Sequence, residues 1–190
     1  MHKDEPQDLP ITASEIVFHG RIWDVARESF TYAGADLVRE FVVHPGAVAV
    51  VALDEQDRVL FIRQYRHPVR SYLWELPAGL LDVAGEPKAE AARRELLEES
   101  GYEATSIEPL LDFYTTPGGN SEMISIFLAR GLKHVGHDLE LEGEEVDMQV
   151  SWVPIAEAVA GILRSEIKSP SAAVGILAAA THLGIKPDFS

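Results

Sequence analysis

The stretch "PAGLLDVAGEPKAEAARRELLEESGY", residues 77–102, decides how the rest of the chain is read. It opens on a Pro-Ala-Gly turn, passes Pro87 where a first-turn proline is tolerated, and ends at Gly101, a residue that suits a helix stop. Between them Ala89, Ala92 and Leu96 give an apolar stripe at helical spacing. Residues three and four apart are neighbours on a helix, so Glu86, Glu90 and Arg94 form a self-neutralising row. Glu95 and Glu99 are different. The positions three and four away from Glu95 hold Ala91, Ala92, Glu98 and Glu99, and those around Glu99 hold Glu95, Leu96, Tyr102 and Glu103. Like charges at this spacing cost a helix roughly 0.2–0.5 kcal/mol per pair. The helix alone leaves two readings open. One is a solvated acidic face. The other is a cation site, because Glu95, Glu98 and Glu99 share one narrow arc and hard oxygen ligands suit Mg²⁺ or Mn²⁺.

Upstream lie the strand-like runs "EIVFHGRIWDVARESF", "DLVREFVV", "AVAVVALD" and "RVLFIRQY", separated by turn signals at Ala33-Gly34, Pro45-Gly46 and residues 54–57. "AVAVVAL" is apolar on both parities, as a central strand covered on both faces would be. Arg63, Arg66, His67 and Arg70 make the end of the fourth run basic. Downstream come "SIEPLLDFYT" and "EMISIFLAR", an acidic loop "HDLELEGEEVD", a strand through "MQVSWVPI", and helices over roughly 154–166 and 170–183. Strands, helix, strands, helices predict an α/β (α+β) protein with a mixed sheet between helices. Trp74 and Trp152 read as core, and His134-x-x-His137 as exposed loop histidines lacking a third ligand.

At 190 residues, 46% of them hydrophobic and 25% charged, the chain suits one globular domain with a small appended lobe. It has no apolar run near the roughly 18–20 residues of a membrane span, and its polar opening "MHKDEPQDLP" is unlike a signal-peptide core. The absence of cysteine excludes disulfides, thiolate catalysis and Cys-ligated zinc, which makes a cytoplasmic enzyme the expectation. A net charge of −15 argues against binding nucleic acid or an anionic membrane. An anionic small-molecule substrate would need local help from a basic patch, a divalent cation, or both.

The run from Gly79 through Glu86 to Arg94-Glu95-Leu96-Leu97-Glu98-Glu99-Ser100-Gly101-Tyr102 resembles the Nudix box. That box reads glycine, five residues, Glu, seven residues, then Arg-Glu-aliphatic-x-Glu-Glu-x-Gly-aliphatic. Here six residues separate Gly79 from Glu86, and Tyr102 stands at the final aliphatic position. Neither departure touches a carboxylate, and the extra residue is expected to lengthen the turn. The resemblance implies the Nudix fold, a mixed β-sheet sandwiched between helices, with an N-terminal antiparallel sheet. It also implies Mg²⁺- or Mn²⁺-dependent hydrolysis of a nucleoside diphosphate linked to another moiety. By position match Glu95 and Glu99 would be the principal metal ligands, with Glu98 beside or directly behind them and a backbone carbonyl from the Ala78-Gly79 turn. Arg94 would orient the carboxylates from between Glu86, Glu90 and Glu98. Of Glu142, Glu144 and Glu145, the last is the favoured general base, two residues before Asp147 as in similar bacterial enzymes.

Further matches lean towards the ADP-ribose pyrophosphatase branch. Pro117, in "TTPGGNSE", stands where a proline marks that branch; Gly118 and Gly119 would admit close ligand approach, and Glu122 closes the segment as a substrate-binding candidate. Arg66 in "QYRHP" matches an arginine that contacts the diphosphate, against the alternative of a plain surface ion pair. Trp23 in "GRIWDVARESF" matches an aromatic that stacks on adenine, often in a dimer, with Glu40 as a candidate for the adenine edge. "WELPAGLLDVAGEP", extra residue included, is similar to actinobacterial members of the branch. The expectation is a homodimeric, Mg²⁺-dependent hydrolase of ADP-ribose to AMP and ribose 5-phosphate. Its expected organisation is a flexible lead-in (1–12), an N-terminal β region for dimerisation and adenine binding (13–44), and a Nudix domain (45–185). The rivals are another nucleoside diphosphate derivative as substrate, or a non-catalytic nucleotide sensor.

Overall fold

A computed structural model describes residues 2–136 and 148–189. The chain divides into two units, Met1–Pro45 with Tyr114–Glu122, and Gly46–Phe113 with Met123–Ser190. The first is built on β1 (Ile11–His19), β2 (Asp24–Tyr32) and β3 (Ala35–Val43), antiparallel in that order. Ala33 and Gly34 have φ of 50° and 82°, so the β2–β3 hairpin closes on a two-residue loop with both central residues in the left-handed region, as the sheet twist favours. The run from Glu15 to Phe30 is two strands, separated at Gly20–Trp23, where the Gly20 amide donates to the Trp23 carbonyl at 3.0 Å. Strand β1 starts at Ile11, inside the stretch expected to be a lead-in. Residues 114–122 join this unit through Val42, whose amide donates to the Gly119 carbonyl at 3.0 Å and whose carbonyl accepts from the Ser121 amide at 3.1 Å.

The second unit holds β4 (Ala47–Ala52), β5 (Arg58–Arg66), β6 (Ser71–Glu75), β7 (Ala78–Leu80), β8 (Tyr102–Tyr114), β9 (Met123–His134) and β10 (Gln149–Pro154). A mixed sheet runs β7-β4-β9-β8, with β4 parallel to β9 and antiparallel to β7; a second sheet runs β10-β5-β6. Helix α1 (Lys88–Ser100) packs on one side of β4, and α2 (Ile155–Leu163) and α3 (Pro170–Leu183) pack on the other. The double parity of β4 explains this. Val48, Val50 and Ala52 meet Ala91, Ala92 and Leu96 of α1, while Ala49 and Val51 meet Ile155, Val159 and Ile176 of α2 and α3. Every one of those β4 side chains is 0% exposed, and each buried valine contributes roughly 1.5–3 kcal/mol. Trp74 and Trp152 pack against the two cores as expected. Strands β6 and β7, split by Pro77, are short and carry no alternation that the sequence reading recognised. Among the described residues no helix is long and apolar enough to cross a membrane.

Candidate active site

Helix α1 is positioned at both ends. Pro87 is its N-cap, one step earlier than expected, and Gly101 (φ 71°) closes it by donating its amide to the Leu97 carbonyl at 2.8 Å. The preceding turn is tied by the Glu86 amide donating to Val83 at 3.2 Å, with Gly85 at φ 80°. The six-residue interval is taken up in this turn.

Beneath α1, β7 pairs with β4 (Val48 with Gly79, Ala49 with Ala78) and brings its backbone against two glutamates. Glu95 and Glu99 are each 9% exposed. Gly79 is present for space, because a methyl group on its Cα would overlap the Glu95 carboxylate. The Ala78 amide donates to Oε2 of Glu99 at 2.8 Å. Ala78, expected to act through its carbonyl, therefore also fixes a carboxylate through its N–H.

Arg94 ties the rest of the set together. Its Nε and Nη2 bind the two oxygens of Glu86 at 3.1 and 3.0 Å, and Nη1 donates to Glu95 Oε1 at 2.6 Å and to Glu98 Oε2 at 3.1 Å. Two expectations need correction. Glu95 does have a cation on its own helix, its immediate neighbour Arg94, whose long guanidinium bridges positions that do not face each other by spacing alone. Glu90 is not part of the Arg94 row. Because Glu86 precedes the helix, Arg94 reaches back to the loop, and exposed Glu90 faces Arg93 at 3.8 Å. Burial pushes the Glu95 carboxyl above its usual range; Arg94 opposes this, and the charges of Glu98 and Asp82 add to it. Hydrogen bonding from Arg94 holds Glu86 low.

Arg66, at the end of β5, makes a two-pronged pair with Glu75 of β6, Nε to Oε1 at 3.0 Å and Nη2 to Oε2 at 2.9 Å. Glu75 is only 6% exposed. The sequence reading missed it, although a lone glutamate in "LWEL" was a visible signal. It also missed Lys88, whose Nζ donates to buried Ser125 Oγ at 2.8 Å and pins the start of α1 to β9.

In the first unit, Trp23 is 40% exposed and stacks on His44, ring centroids 4.3 Å apart and planes 26° from parallel. His44 Nε2 lies 3.2 Å from Glu122 Oε1, and Glu122 Oε2 accepts from Thr115 Oγ1 at 2.6 Å. Glu122, a substrate candidate by sequence, thus has two internal partners. Burial lowers the His44 pKa, and Glu122 opposes the shift. Glu40 accepts from Arg27 Nε and Nη2 at 2.9 and 2.8 Å. A cavity of about 370 Å³ lies between Arg39 and Glu40 on one side and the Pro117–Asn120 turn on the other. Among the described residues no atom lies within 4 Å of where a side chain would start at Gly118 or Gly119. His134 packs edge-on to Tyr102 at 4.8 Å. His137, Glu142, Glu144 and Glu145 lie outside the described residues.

A family model described as the NUDIX domain matches residues 43–173. The chain belongs to the Nudix family. It is 45% identical to a protein from Mycobacterium tuberculosis named ADP-ribose pyrophosphatase, over 90% of this chain and 83% of that one. A protein of the same name from Bacillus subtilis is 34% identical over 86% and 88% of the two chains. The solved structure of an "ADP compounds hydrolase" superposes with a TM-score of 0.79 at 23% identity, over 96% of this chain and 97% of that one, which supports the fold.

The Nudix box of this chain offers donors that suit a hard divalent cation, all of them oxygen and mostly carboxylate. Among the described residues no three acidic or imidazole side chains already stand in a ligand cluster. Arg94 instead holds one oxygen each of Glu95 and Glu98. Among the described residues the second oxygen of each could take an ion, and a bound cation would offset the burial that raises Glu95.

Proposed function

We propose that this Nudix hydrolase cleaves the diphosphate of ADP-ribose to AMP and ribose 5-phosphate with Mg²⁺ or Mn²⁺. The observation that carries the reading is the pair of near-buried carboxylates, Glu95 and Glu99, seated on the Ala78-Gly79 backbone. The names borne by its relatives supply the substrate. Glu95, Glu98 and Glu99 would hold the ion, with the Ala78 carbonyl. When bound, the ion neutralises the diphosphate and acidifies a water molecule. Arg94 restrains Glu95 and Glu98, and the Ala78 amide restrains Glu99. Arg66, steadied by Glu75, takes a diphosphate oxygen; Trp23 stacks on the adenine; Glu145 accepts a proton from the attacking water. Bond breaking at the bridging oxygen then releases the two monophosphates. We also propose a cytoplasmic setting, with which the cysteine-free composition is consistent.

Turnover of a panel of ADP-ribose, GDP-mannose, NADH and a dinucleoside polyphosphate, with Mg²⁺ and after chelation, tests this. ADP-ribose should give the highest kcat/KM and lose its turnover to the chelator. Preference for another member of the panel replaces the substrate, and no turnover of any member favours a sensing role.

We also propose that a second copy of the chain covers the N-terminal sheet. Strand β1 is exposed along its whole length, and Ile11, Phe18, Tyr32 and Val38 are 55%, 61%, 56% and 52% exposed. By register Ile11 and Tyr32 share one face of the sheet and Phe18 and Val38 the other, and exposed apolar side chains of this kind mark an interaction surface. Sedimentation at micromolar concentration should give twice the chain mass of 20.9 kDa, and Phe18→Asp should shift it towards the monomer. A wild-type protein that sediments as a monomer overturns the proposal.

A further inference from the structure

We propose that His44 is a positioning residue that sets the orientation of the Trp23 indole, so that the aromatic base of the substrate meets a fixed ring. The proposal rests on the reading of Trp23 as the base platform. It adds the device that holds the platform in place, which is anchored in the Thr115–Glu122 segment.

The imidazole covers one face of the indole at 4.3 Å and is itself held on several sides. The side chain of His44 is 1% exposed. Its backbone amide donates to Ser121 Oγ at 2.9 Å, and its ring Nε2 lies 3.2 Å from Glu122 Oε1. Glu122 is fixed in turn by the Thr115 hydroxyl at 2.6 Å and by its own amide, which donates to Asn120 Oδ1 at 2.9 Å. These tethers all come from one short segment, and they end at the indole of Trp23.

Simple packing is a poor account of this arrangement. Among the described residues of the first unit only Ala26 and His44 are buried. A unit with so little interior gains more from an apolar filler than from an imidazole and a carboxylate that both need partners. What the polar pair adds is direction. A leucine in this place could slide, whereas a buried ring stacked at 4.3 Å, with Nε2 set 3.2 Å from the carboxylate of a doubly anchored glutamate, is restricted in its orientation, and the stacked indole inherits that restriction. Trp23 keeps 40% of its surface exposed. A ring already held in place loses less rotamer freedom on binding, so the benefit appears as affinity.

The test is steady-state hydrolysis of ADP-ribose by the full-length protein carrying Trp23→Ala, His44→Ala, His44→Gln or both alanine changes. Stacking on one aromatic side chain supports about a tenfold or larger effect, so Trp23→Ala should raise KM by that factor. His44→Ala should raise KM several-fold with kcat within about twofold, and the double variant should be no worse than Trp23→Ala. His44→Gln keeps a polar group beside Glu122 and removes the ring; it should raise KM like the alanine, and it serves if His44→Ala does not fold. If Trp23→Ala leaves KM unchanged, the platform reading fails and this inference fails with it. If Trp23→Ala raises KM but both His44 variants keep the wild-type KM, only the positioning role is overturned. A His44 variant that loses thermal stability at unchanged KM likewise assigns the residue to the fold alone.

Discussion

Glu99→Gln is expected to reduce kcat on ADP-ribose by about 10³-fold or more, while its unfolding temperature stays within about 4 °C of wild type. The two halves of that statement have different causes. Glu99 accepts the Ala78 amide at 2.8 Å, and a glutamine carbonyl can accept the same bond. At 9% exposure a neutral amide is also cheaper to bury than a carboxylate. The fold therefore has little to lose. What disappears is a formal charge at a proposed metal-ligand position, and an ion held there would supply several kcal/mol of transition-state stabilisation. Rates at saturating Mg²⁺, with thermal unfolding of the same samples, separate the two effects. Full activity in the variant would reopen the sensing role, and a large fall in unfolding temperature at intact kcat would assign Glu99 to the scaffold.

The parts of this protein that were legible in its sequence are those whose signal is local. Strand β4 shows its double burial in consecutive residues, because apolar side chains on both parities leave few other ways to fold. Helix α1 announces itself by spacing and by Gly101, whose left-handed φ of 71° ends it. The hairpin at Ala33-Gly34 is equally local. The misses have a different character. Glu75 matters through Arg66, nine residues away along the chain; Glu75 pairs with Ile62 and Arg66 with Ser71, so the contact depends on how far the arginine side chain reaches along β5 and β6. His44 matters through Trp23 and Glu122, which the sequence separates widely. Strands β6 and β7 are too short to carry a period and are defined by what they pair with.

The charge count on α1 shows the limit most clearly. Counting neighbours at three and four residues left Glu95 without a cation, since that rule describes which positions face each other on an ideal cylinder. A guanidinium on a flexible stem is not confined to its own position. Arg94 binds Glu86 in front of the helix, and from there its remaining nitrogen reaches both Glu95 and Glu98.

Gly79→Ala is expected to lower kcat by about 10²-fold, because displacing a reacting-centre group by about 1 Å costs that much, while the protein still folds. The added methyl would overlap the carboxylate of Glu95, the far end of a flexible side chain, which supplies the three atoms nearest to it. The overlap is therefore relieved when the carboxylate swings away. That swing works against the 2.6 Å contact with Arg94 and moves one of the two proposed principal ligands. A double-mutant cycle with Glu95→Ala tests the route, since Glu95→Ala removes the group that the methyl strikes. If Gly79→Ala acts through Glu95, the double variant has the kcat of Glu95→Ala alone, and the two effects are strongly non-additive. If the methyl instead deforms β7, it also disturbs the Ala78 amide that holds Glu99, and the double variant falls further by the full Gly79→Ala factor. The first result would mean that Gly79 is required there because the Glu95 carboxylate lies directly over it, whatever freedom of φ a glycine brings.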